Sequence, residues 1–221
     1  MRGEQAQTKP KTRRQAEKEQ RHRDLVETAG LLFGTHGFAA VTLDDIGREV
    51  GVSGQAIYRH FSGKQDLLGK MLLGVSATLL DGGRRIQGEQ PEVSARIDSL
   101  IAFHTDFALA SPEIIRVQEQ EMSQLLEADR GDVRRLQRQY IEIWNAAISE
   151  LHPRISPVQR RTRVHGVFGL INSTGRSMKP DNQQSPASGE DHQIALTLRT
   201  MARAAIDCAV TGPRGDRHEG P

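Results

Sequence analysis

The chain has 221 residues, of which 36% are hydrophobic and 26% charged, a composition typical of a soluble globular protein with one or two domains, while its net charge of +2 is uninformative. No apolar run approaches the roughly 18 residues of a membrane span, and the polar N-terminus lacks the apolar stretch of a secretory signal. Because Cys208 is the only cysteine, disulfides within the chain and cysteine-rich zinc sites are excluded, and we expect a cytoplasmic protein in which this side chain is buried.

The N-terminal segment is the most basic part of the chain. Residues 1–24 contain eight Lys or Arg against four Asp or Glu, and residues 1–19 are expected to form a flexible basic arm. Such an arm is either a solvated tail or a phosphate-binding segment, because clustered cations gain affinity for nucleic acid by releasing its counterions. The arm alone leaves both interpretations open.

Apolar residues recur at helical spacing along nearly the whole chain, which predicts an all-α fold. The first helix is expected to end at residues 34–37. The second opens at Thr42, where Asp45 completes a variant capping box, and it ends at Gly51. A third short helix follows at 53–60, with a serine in the N-cap position.

Longer helices are predicted after this region. The fourth begins with a capping box at residues 62–65 and is expected to stop at Gly82 and Gly83. The remaining helices, which bring the total to about nine, are expected near residues 93–107, 111–126, 133–151, 156–177 and 194–208. Residues 179–190 have the composition of a polar loop, and residues 211–221 that of a disordered tail.

The two helices at 42–50 and 53–60 have the spacing of a helix-turn-helix. Ile46 and Ile57 can face each other, while polar side chains such as Gln55 point outward. A helical hairpin inside a core has the same spacing, but the second helix is too short and polar for a core element, and a basic arm precedes the pair. These features favour DNA binding.

The stretch 42–61, TLDDIGREVGVSGQAIYRHF, followed by SGKQDLL, resembles the helix-turn-helix of TetR-family transcriptional regulators. The preceding LVETAGLLFGTHGFAAVT is similar to that family's first helix and Gly-Phe turn, so the resemblance covers about residues 20–80. It implies a helix-turn-helix DNA-binding domain at 20–80 and a ligand-binding and dimerisation domain at 84–210. It further implies a homodimeric repressor that a small-molecule effector releases from a palindromic double-stranded DNA operator.

The resemblance also implies which residues contact DNA. They are Thr42, Ser53, Gly54, Gln55, Ala56, Tyr58, His60 and Lys64. Lys64 lies at a helix N-terminus and is expected to bind phosphate. The family often has Lys, Arg or Pro where this chain has Gly54, and a small residue where it has Gln55, so base preference cannot be taken from relatives.

Polar and aromatic residues on or beside the apolar stripes of the long helices are either satisfied core residues or orienting groups of a mostly apolar pocket. The candidate pocket residues are His104, Gln118, Glu121, Tyr140, Trp144, Asn145, His165 and Asn172. The resemblance implies that the eighth and ninth helices pair with a second copy. The expected interface residues are Phe168, Ile194, Leu198, Met201 and Ala205, and Gly166 and Gly169 would allow a close approach of helices.

The sequence contains no P-loop, no His-Glu-x-x-His and no Gly-x-Ser-x-Gly, and its histidines are scattered. We therefore expect no enzyme activity, no catalytic residues, no metal and no cofactor. The alternative function is that of a small-molecule-binding helical protein whose DNA-binding domain is vestigial. A gel shift with the DNA upstream of the chain's own gene would separate the two functions.

Overall fold

The computed structural model describes residues 12–177 and 189–209, and all regular secondary structure in these ranges is helical. The nine described α-helices are α1 (Arg13–His36), α2 (Leu43–Val50), α3 (Gly54–Ile57), α4 (Lys64–Glu89), α5 (Val93–Ala110), α6 (Pro112–Gln120), α7 (Glu127–Leu151), α8 (Pro157–Ser177) and α9 (Gly189–Asp207). A short 3-10 turn at Met122–Gln124 separates α6 from α7. The predicted all-α fold with about nine helices is confirmed. None of the described helices is both long and apolar enough to cross a membrane.

The helices form two compact units. Among the described residues, unit 1 contains 12–78 and 113–136, and unit 2 contains 79–112, 137–177 and 189–209. This differs from the expected division at residues 80–84, because α6 and the start of α7 pack with unit 1. Val117, Leu125 and Val133 are all at most 5% exposed and belong to the same core as the apolar residues of α1. The sequence does not reveal this arrangement, because it depends on contacts between residues that are more than fifty positions apart in the chain.

The start of α1 corrects part of the predicted flexible arm. Thr12 caps the helix, since its side chain accepts a hydrogen bond from Gln15 N, and the Gln15 side chain accepts one from the Thr12 backbone. Residues 13–19 of the expected arm are therefore the first two turns of α1, and residues 1–11 lie outside the described residues. The predicted tail at 211–221 and the loop at 179–190 also lie outside them, except that residues 189–190 begin α9.

Three other helix boundaries differ from the predicted ones. The sixth helix ends at Gln120 and α7 begins at Glu127, so the break between them comes earlier than the predicted ranges 111–126 and 133–151 implied. The expected capping box at 62–65 is replaced by a hydrogen bond from Ser62 N to Asp66 Oδ2, at 2.7 Å. The third helix is shorter than predicted, because regular α-helix ends at Ile57 and the following residues form a turn.

Helix α4 continues through Gly82 and Gly83, where it was predicted to stop. A Cβ atom on Gly82 would lie 2.1 Å from the ring of Phe103, and one on Gly83 would lie 2.9 Å from the ring of Tyr140. Both glycines thus allow aromatic rings of unit 2 to pack directly on the backbone of α4. This packing outweighs the low helix propensity of glycine, which costs roughly 0.5–1 kcal/mol per residue.

The C-terminal end of α9 is held by the buried side chain of Arg163 in α8. Its guanidinium donates hydrogen bonds to the carbonyl oxygens of Ile206, at 2.5 Å, and Cys208, at 2.6 Å. A cation at this end is favourable because the last carbonyls of a helix carry partial negative charge. Cys208 itself is exposed, which corrects the expectation that it is buried.

Substituting Gly82→Ala should destabilise unit 2, because the new methyl group forces the Phe103 ring out of its place. Overpacking of this kind costs about 1–3 kcal/mol. The control is Gly88→Ala in the same helix, where a Cβ meets nothing within 4 Å and where the better helix former should stabilise by roughly 0.5–1 kcal/mol. Thermal unfolding followed by circular dichroism measures both. Equal midpoints for the two variants would contradict the packing of Phe103 on α4.

Candidate functional site

The start of α2 is fixed by a capping box between Thr42 and Asp45, as predicted. The Thr42 hydroxyl accepts a hydrogen bond from Asp45 N at 3.1 Å and donates one to Asp45 Oδ2 at 2.6 Å. The hydrogen bonds that Thr42 donates to Asp45 lower the pKa of the Asp45 carboxyl, and the bond from the side chain has a larger effect than the bond from the backbone. The hydroxyl hydrogen of Thr42, one of the expected DNA contacts, is thus held by Asp45 in this structure.

A tight turn joins α2 to α3. Gly51 adopts a left-handed conformation with φ of 72°, which glycine permits without strain. Val52 N donates a hydrogen bond to Gly47 O at 2.7 Å, and a Cβ on Gly47 would lie 2.7 Å from Val52 O. Ile46 and Ile57 are fully buried, as the predicted helix-turn-helix requires. The turn and these two side chains fix the orientation of α3.

Helix α3 exposes a short polar face. Ser53 caps the helix by accepting a hydrogen bond from Ala56 N at 3.3 Å, as predicted. Gln55, Tyr58 and Arg59 are exposed, and 61% of Tyr58 is accessible to solvent. Arg59, which was absent from the predicted contact residues, adds a cation to this face. The sequence could have indicated Arg59, because this residue follows Tyr58 on the side of the motif that was expected to point outward.

Gly54 and Ala56 are half-buried, although both were among the expected DNA contacts. A Cβ on Gly54 would lie 1.6 Å from Asp44 Oδ1. The carboxylate of α2 thus occupies the space that a side chain at position 54 would need. This contact gives a physical reason why the chain has glycine where the family often has Lys, Arg or Pro.

Lys64, which was expected to bind phosphate, contacts the loop between α1 and α2 in this structure. Its Nζ donates hydrogen bonds to the carbonyl oxygens of Phe38, at 2.7 Å, Val41, at 2.8 Å, and Ala39, at 3.4 Å. It also lies 4.4 Å from the centroid of the Phe38 ring. All three hydrogens of the ammonium group are used, so Lys64 fastens the start of α4 to the loop between α1 and α2.

His60, one of the expected DNA contacts, is half-buried beside α1. Its ring centroid lies 6.2 Å from that of His22, which stacks on Phe61. Burial lowers the pKa of His60, and so do His22 and nearby cations such as Lys18 and Arg59. The imidazole is therefore neutral at neutral pH.

Unit 2 contains a buried cluster of four rings contributed by α5, α7 and α8. His104, Tyr140 and Trp144 are at most 3% exposed. Phe168 stacks on His104, with the centroids 4.4 Å apart, and meets Trp144 edge-on at 5.2 Å. We call His104, Tyr140, Trp144, Phe168 and their hydrogen-bonding neighbour Asn172 the aromatic cluster. It brings together four of the eight predicted pocket residues, and it also contains Phe168, which was expected in the dimer interface.

Hydrogen bonds connect the polar groups of the aromatic cluster. His104 Nε2 lies 3.2 Å from Asn172 Oδ1, and the Tyr140 hydroxyl lies 3.4 Å from His104 Nδ1. Burial lowers the pKa of His104 to about 4, although the bond to Asn172 opposes this shift. The neutral ring therefore donates from Nε2 to Asn172 and accepts at Nδ1 from Tyr140. Burial also raises the pKa of the Tyr140 hydroxyl, which stays protonated.

The other four predicted pocket residues do not join the aromatic cluster. Gln118 and Glu121 belong to unit 1, where Glu121 Oε1 accepts a hydrogen bond from Phe38 N at 3.4 Å. His165 is exposed on α8, and the Asn145 amide donates to Glu142 on its own helix. Apolar stripes located these residues on helices but did not indicate which helices pack together. In the described ranges no three His, Cys, Asp or Glu side chains are grouped as metal ligands.

The expected interface residues of α9 lie on two different faces of the helix. Leu198 is 2% exposed and packs inside its own chain, while Ile194 and Ala205 are half-buried. Met201 is 48% exposed, and Leu196, which was missed, is 58% exposed. On α8, Gly166 and Gly169 are exposed, and a Cβ on either would meet nothing within 4 Å. They therefore make no close helix contact in the single chain.

Comparisons with known proteins agree with the helix-turn-helix geometry. Residues 25–71 match the family model of the bacterial regulatory proteins of the tetR family. The HTH-type transcriptional repressor KstR2 of Rhodococcus jostii is 24% identical over 125 residues, which cover 56% of this chain and 61% of the repressor. The chain thus matches about three fifths of the length of this curated relative.

Solved structures share the fold. A TetR-family transcriptional regulator from Bordetella parapertussis superposes with a TM-score of 0.70 at 21% identity, covering 82% of this chain and 93% of that one. AibR, in complex with isovaleryl coenzyme A and operator DNA, superposes with a TM-score of 0.66 at 20% identity, covering 82% and 97% of the two chains. At these identities the likeness establishes the architecture.

The buried neutral His104 should make stability depend on pH. Because its folded pKa of about 4 lies below the ordinary 6.5, its contribution is present above pH 6.5 and is lost as the pH falls towards 4. Relative to His104→Gln, the wild type should lose about 3 kcal/mol of unfolding free energy over this interval. Urea unfolding at several pH values measures the difference, with the exposed His165→Gln as control. Parallel pH profiles for wild type and His104→Gln would refute the buried neutral state.

Proposed function

We propose that the chain is a sequence-specific DNA-binding transcriptional regulator, because residues 25–71 match the family model of the bacterial regulatory proteins of the tetR family. The observation that carries the proposal is the exposed polar face of α3, whose opposite side is held by the fully buried Ile57. In a helix-turn-helix the second helix enters the major groove and presents its N-terminal residues to base edges. Ser53, Gln55 and Tyr58 are exposed on this helix and its immediate flanks.

The charge of the first helix supports the same function. The first turn of α1 has no acidic residue, and Arg14, Lys18 and Arg21 are exposed along its N-terminal half. Cations at a helix N-terminus are unfavourable in isolation, because they face the positive end of the helix dipole. A phosphate backbone beside them removes this cost and supplies affinity through counterion release.

Gln55 is the best candidate for reading a base directly. Its exposed amide donates one hydrogen bond and accepts another, which matches N6 and N7 of adenine. Its neighbours Gly54 and Ala56 are half-buried and carry no polar side-chain atom. Lys64 is assigned a structural role, since its ammonium group already binds three carbonyl oxygens.

The regulator is proposed to act as a repressor that a small molecule releases from its operator. AibR was solved with both isovaleryl coenzyme A and operator DNA, and KstR2 is named a repressor. In this chain the aromatic cluster is the candidate effector site. A ligand that enters it must move Tyr140, whose ring packs on Gly83 of α4. Residues 64–78 of the same helix belong to unit 1. The ligand changes DNA affinity only if it binds the two conformations unequally.

The functional state is proposed to be a cytoplasmic homodimer that binds a palindromic operator and catalyses no reaction. Leu196 and Met201 expose about half of their surfaces on α9, and Gly166 and Gly169 leave the neighbouring face of α8 open. A second copy would cover these apolar groups, and the small glycines would allow its helices to approach closely. Two-fold symmetry would then require two related half-sites.

Selection of bound sequences from a random duplex library tests the proposed function. We expect enrichment of a palindromic sequence that also occurs upstream of the chain's own gene. Binding measured by fluorescence anisotropy should weaken steeply as salt is raised, because phosphate contacts release counterions. A library that yields no enriched sequence would favour the alternative of a ligand-binding protein with a vestigial DNA-binding domain.

Gln55→Ala should weaken binding to the selected operator by about 1–3 kcal/mol and relax base preference at one position of each half-site. Arg59→Ala, which removes a cation from the same face, should weaken all sequences alike and reduce the salt dependence. Gln87→Ala changes an exposed glutamine of unit 2 and is the control. If Gln55→Ala keeps the wild-type preference at every position, DNA shape and not Gln55 supplies the specificity.

Replacing both Leu196 and Met201 by Asp should convert the dimer to a monomer, because buried charges would oppose the apolar contact. Analytical ultracentrifugation measures the mass of each species. Leu126→Asp is the matched control, since Leu126 is 47% exposed in unit 1 and should leave the dimer intact. A double variant that still sediments as a dimer would show that the interface lies elsewhere.

A further inference from the structure

The carboxylate of Asp44 takes the place that a side chain at position 54 would have. A Cβ on Gly54, the first residue of α3, would lie 1.6 Å from Oδ1 of Asp44 and 2.8 Å from its Cγ. Asp44 belongs to α2 and is exposed, and so is Gln55, which follows Gly54 in the chain. The start of α3 therefore presents two polar groups, the amide of Gln55 and a carboxylate that α2 supplies.

The Asp44 carboxylate is not used by the fold in the way that its neighbour is. Asp45 accepts hydrogen bonds from the backbone and hydroxyl of Thr42 and forms an ion pair with Arg48 at 3.1 Å. Within the part of the chain that the structure describes, the Asp44 side chain forms neither a hydrogen bond nor an ion pair. An acid in the first turn of a helix is favourable, but Asp45 already supplies one to α2. Both oxygens of Asp44 thus remain available as acceptors.

An unpaired carboxylate on this face restricts which atoms of DNA can lie beside it. Phosphates repel it, because both groups are negative. In the major groove, guanine exposes two acceptors, and thymine exposes an acceptor and a methyl group. Adenine exposes the N6 donor next to the N7 acceptor, whereas cytosine exposes the N4 donor alone. The amino group of cytosine is therefore the base group that best satisfies a carboxylate.

We propose that Asp44 determines specificity by accepting a hydrogen bond from N4 of one cytosine in each half-site of the operator. The inference deepens the proposed function and rests on it, because α3 must enter the major groove for this contact to form. Asp44 and Gln55 then select bases at neighbouring positions. The carboxylate also discriminates against other sequences, since beside an acceptor it loses its hydration and gains no hydrogen bond.

Selection from a random duplex library with the full-length wild type and with Asp44→Asn tests the proposal. The wild type should prefer cytosine about tenfold over the other bases at one position of each half-site. Asp44→Asn removes the charge at nearly constant size and should move the preference at that position to adenine, which an amide contacts as donor and acceptor. Glu49→Gln removes another exposed acid of α2 and is the control, which should leave every preference unchanged.

A second measurement does not depend on the folding of any variant. In N4-methylcytosine a methyl group replaces the amino hydrogen that faces the major groove, while the base pair is kept. The cytosines of the selected operator are replaced one at a time, and binding of the wild type is measured by fluorescence anisotropy. One replacement in each half-site should weaken binding about tenfold, and Asp44→Ala should be insensitive to the same replacement.

The outcomes separate this inference from the proposed function. The inference is overturned if Asp44→Asn keeps the wild-type base preferences, or if it only gains affinity equally for all sequences, which would make Asp44 a repulsive charge and no more. It is also overturned if no replacement by N4-methylcytosine weakens binding. A wild type that selects an operator but fails these tests refutes the inference alone, whereas a wild type that selects no operator refutes the proposed function and the inference together.

Discussion

The close contact between the backbone of Gly47 and the carbonyl of Val52 determines where α3 points. Because no Cβ fits between them, the turn after α2 can fold back tightly, and Ile57 then reaches the core. Lys64 reinforces this arrangement from the other side by binding the loop that leads into α2. The exposed face of α3 is thus positioned by backbone contacts, and its own side chains remain available for a partner.

Local signals predicted the parts of this region that depend on neighbours in sequence. The caps at Thr42 and Ser53 follow from short-range hydrogen bonds, and the structure contains both. The continuation of α4 through Gly82 could not be predicted in the same way, because it depends on a ring from α5. Intrinsic propensity favours a stop there, and tertiary packing overrides it.

In the candidate sites, too, features that depend on neighbours in sequence were predicted, and features that depend on packing between helices were not. An apolar stripe indicated that α9 is amphipathic, but it could not indicate whether Leu198 is covered by its own chain or by a second one. His104, Tyr140 and Trp144 were identified as polar or aromatic residues on apolar stripes, and they do meet. Gln118 has the same pattern and belongs to the other unit, because spacing along a helix carries no information about its packing partner.

The contact between Gly54 and Asp44 affects how the recognition surface can evolve. Gln55 is free of such constraints, so a single substitution there can change the surface without disturbing its neighbours. A larger residue at position 54 must first displace the Asp44 carboxylate from the space that it now occupies. Changes at positions 44 and 54 are therefore expected to arise together along a lineage, with the smaller or more mobile residue at 44 appearing first.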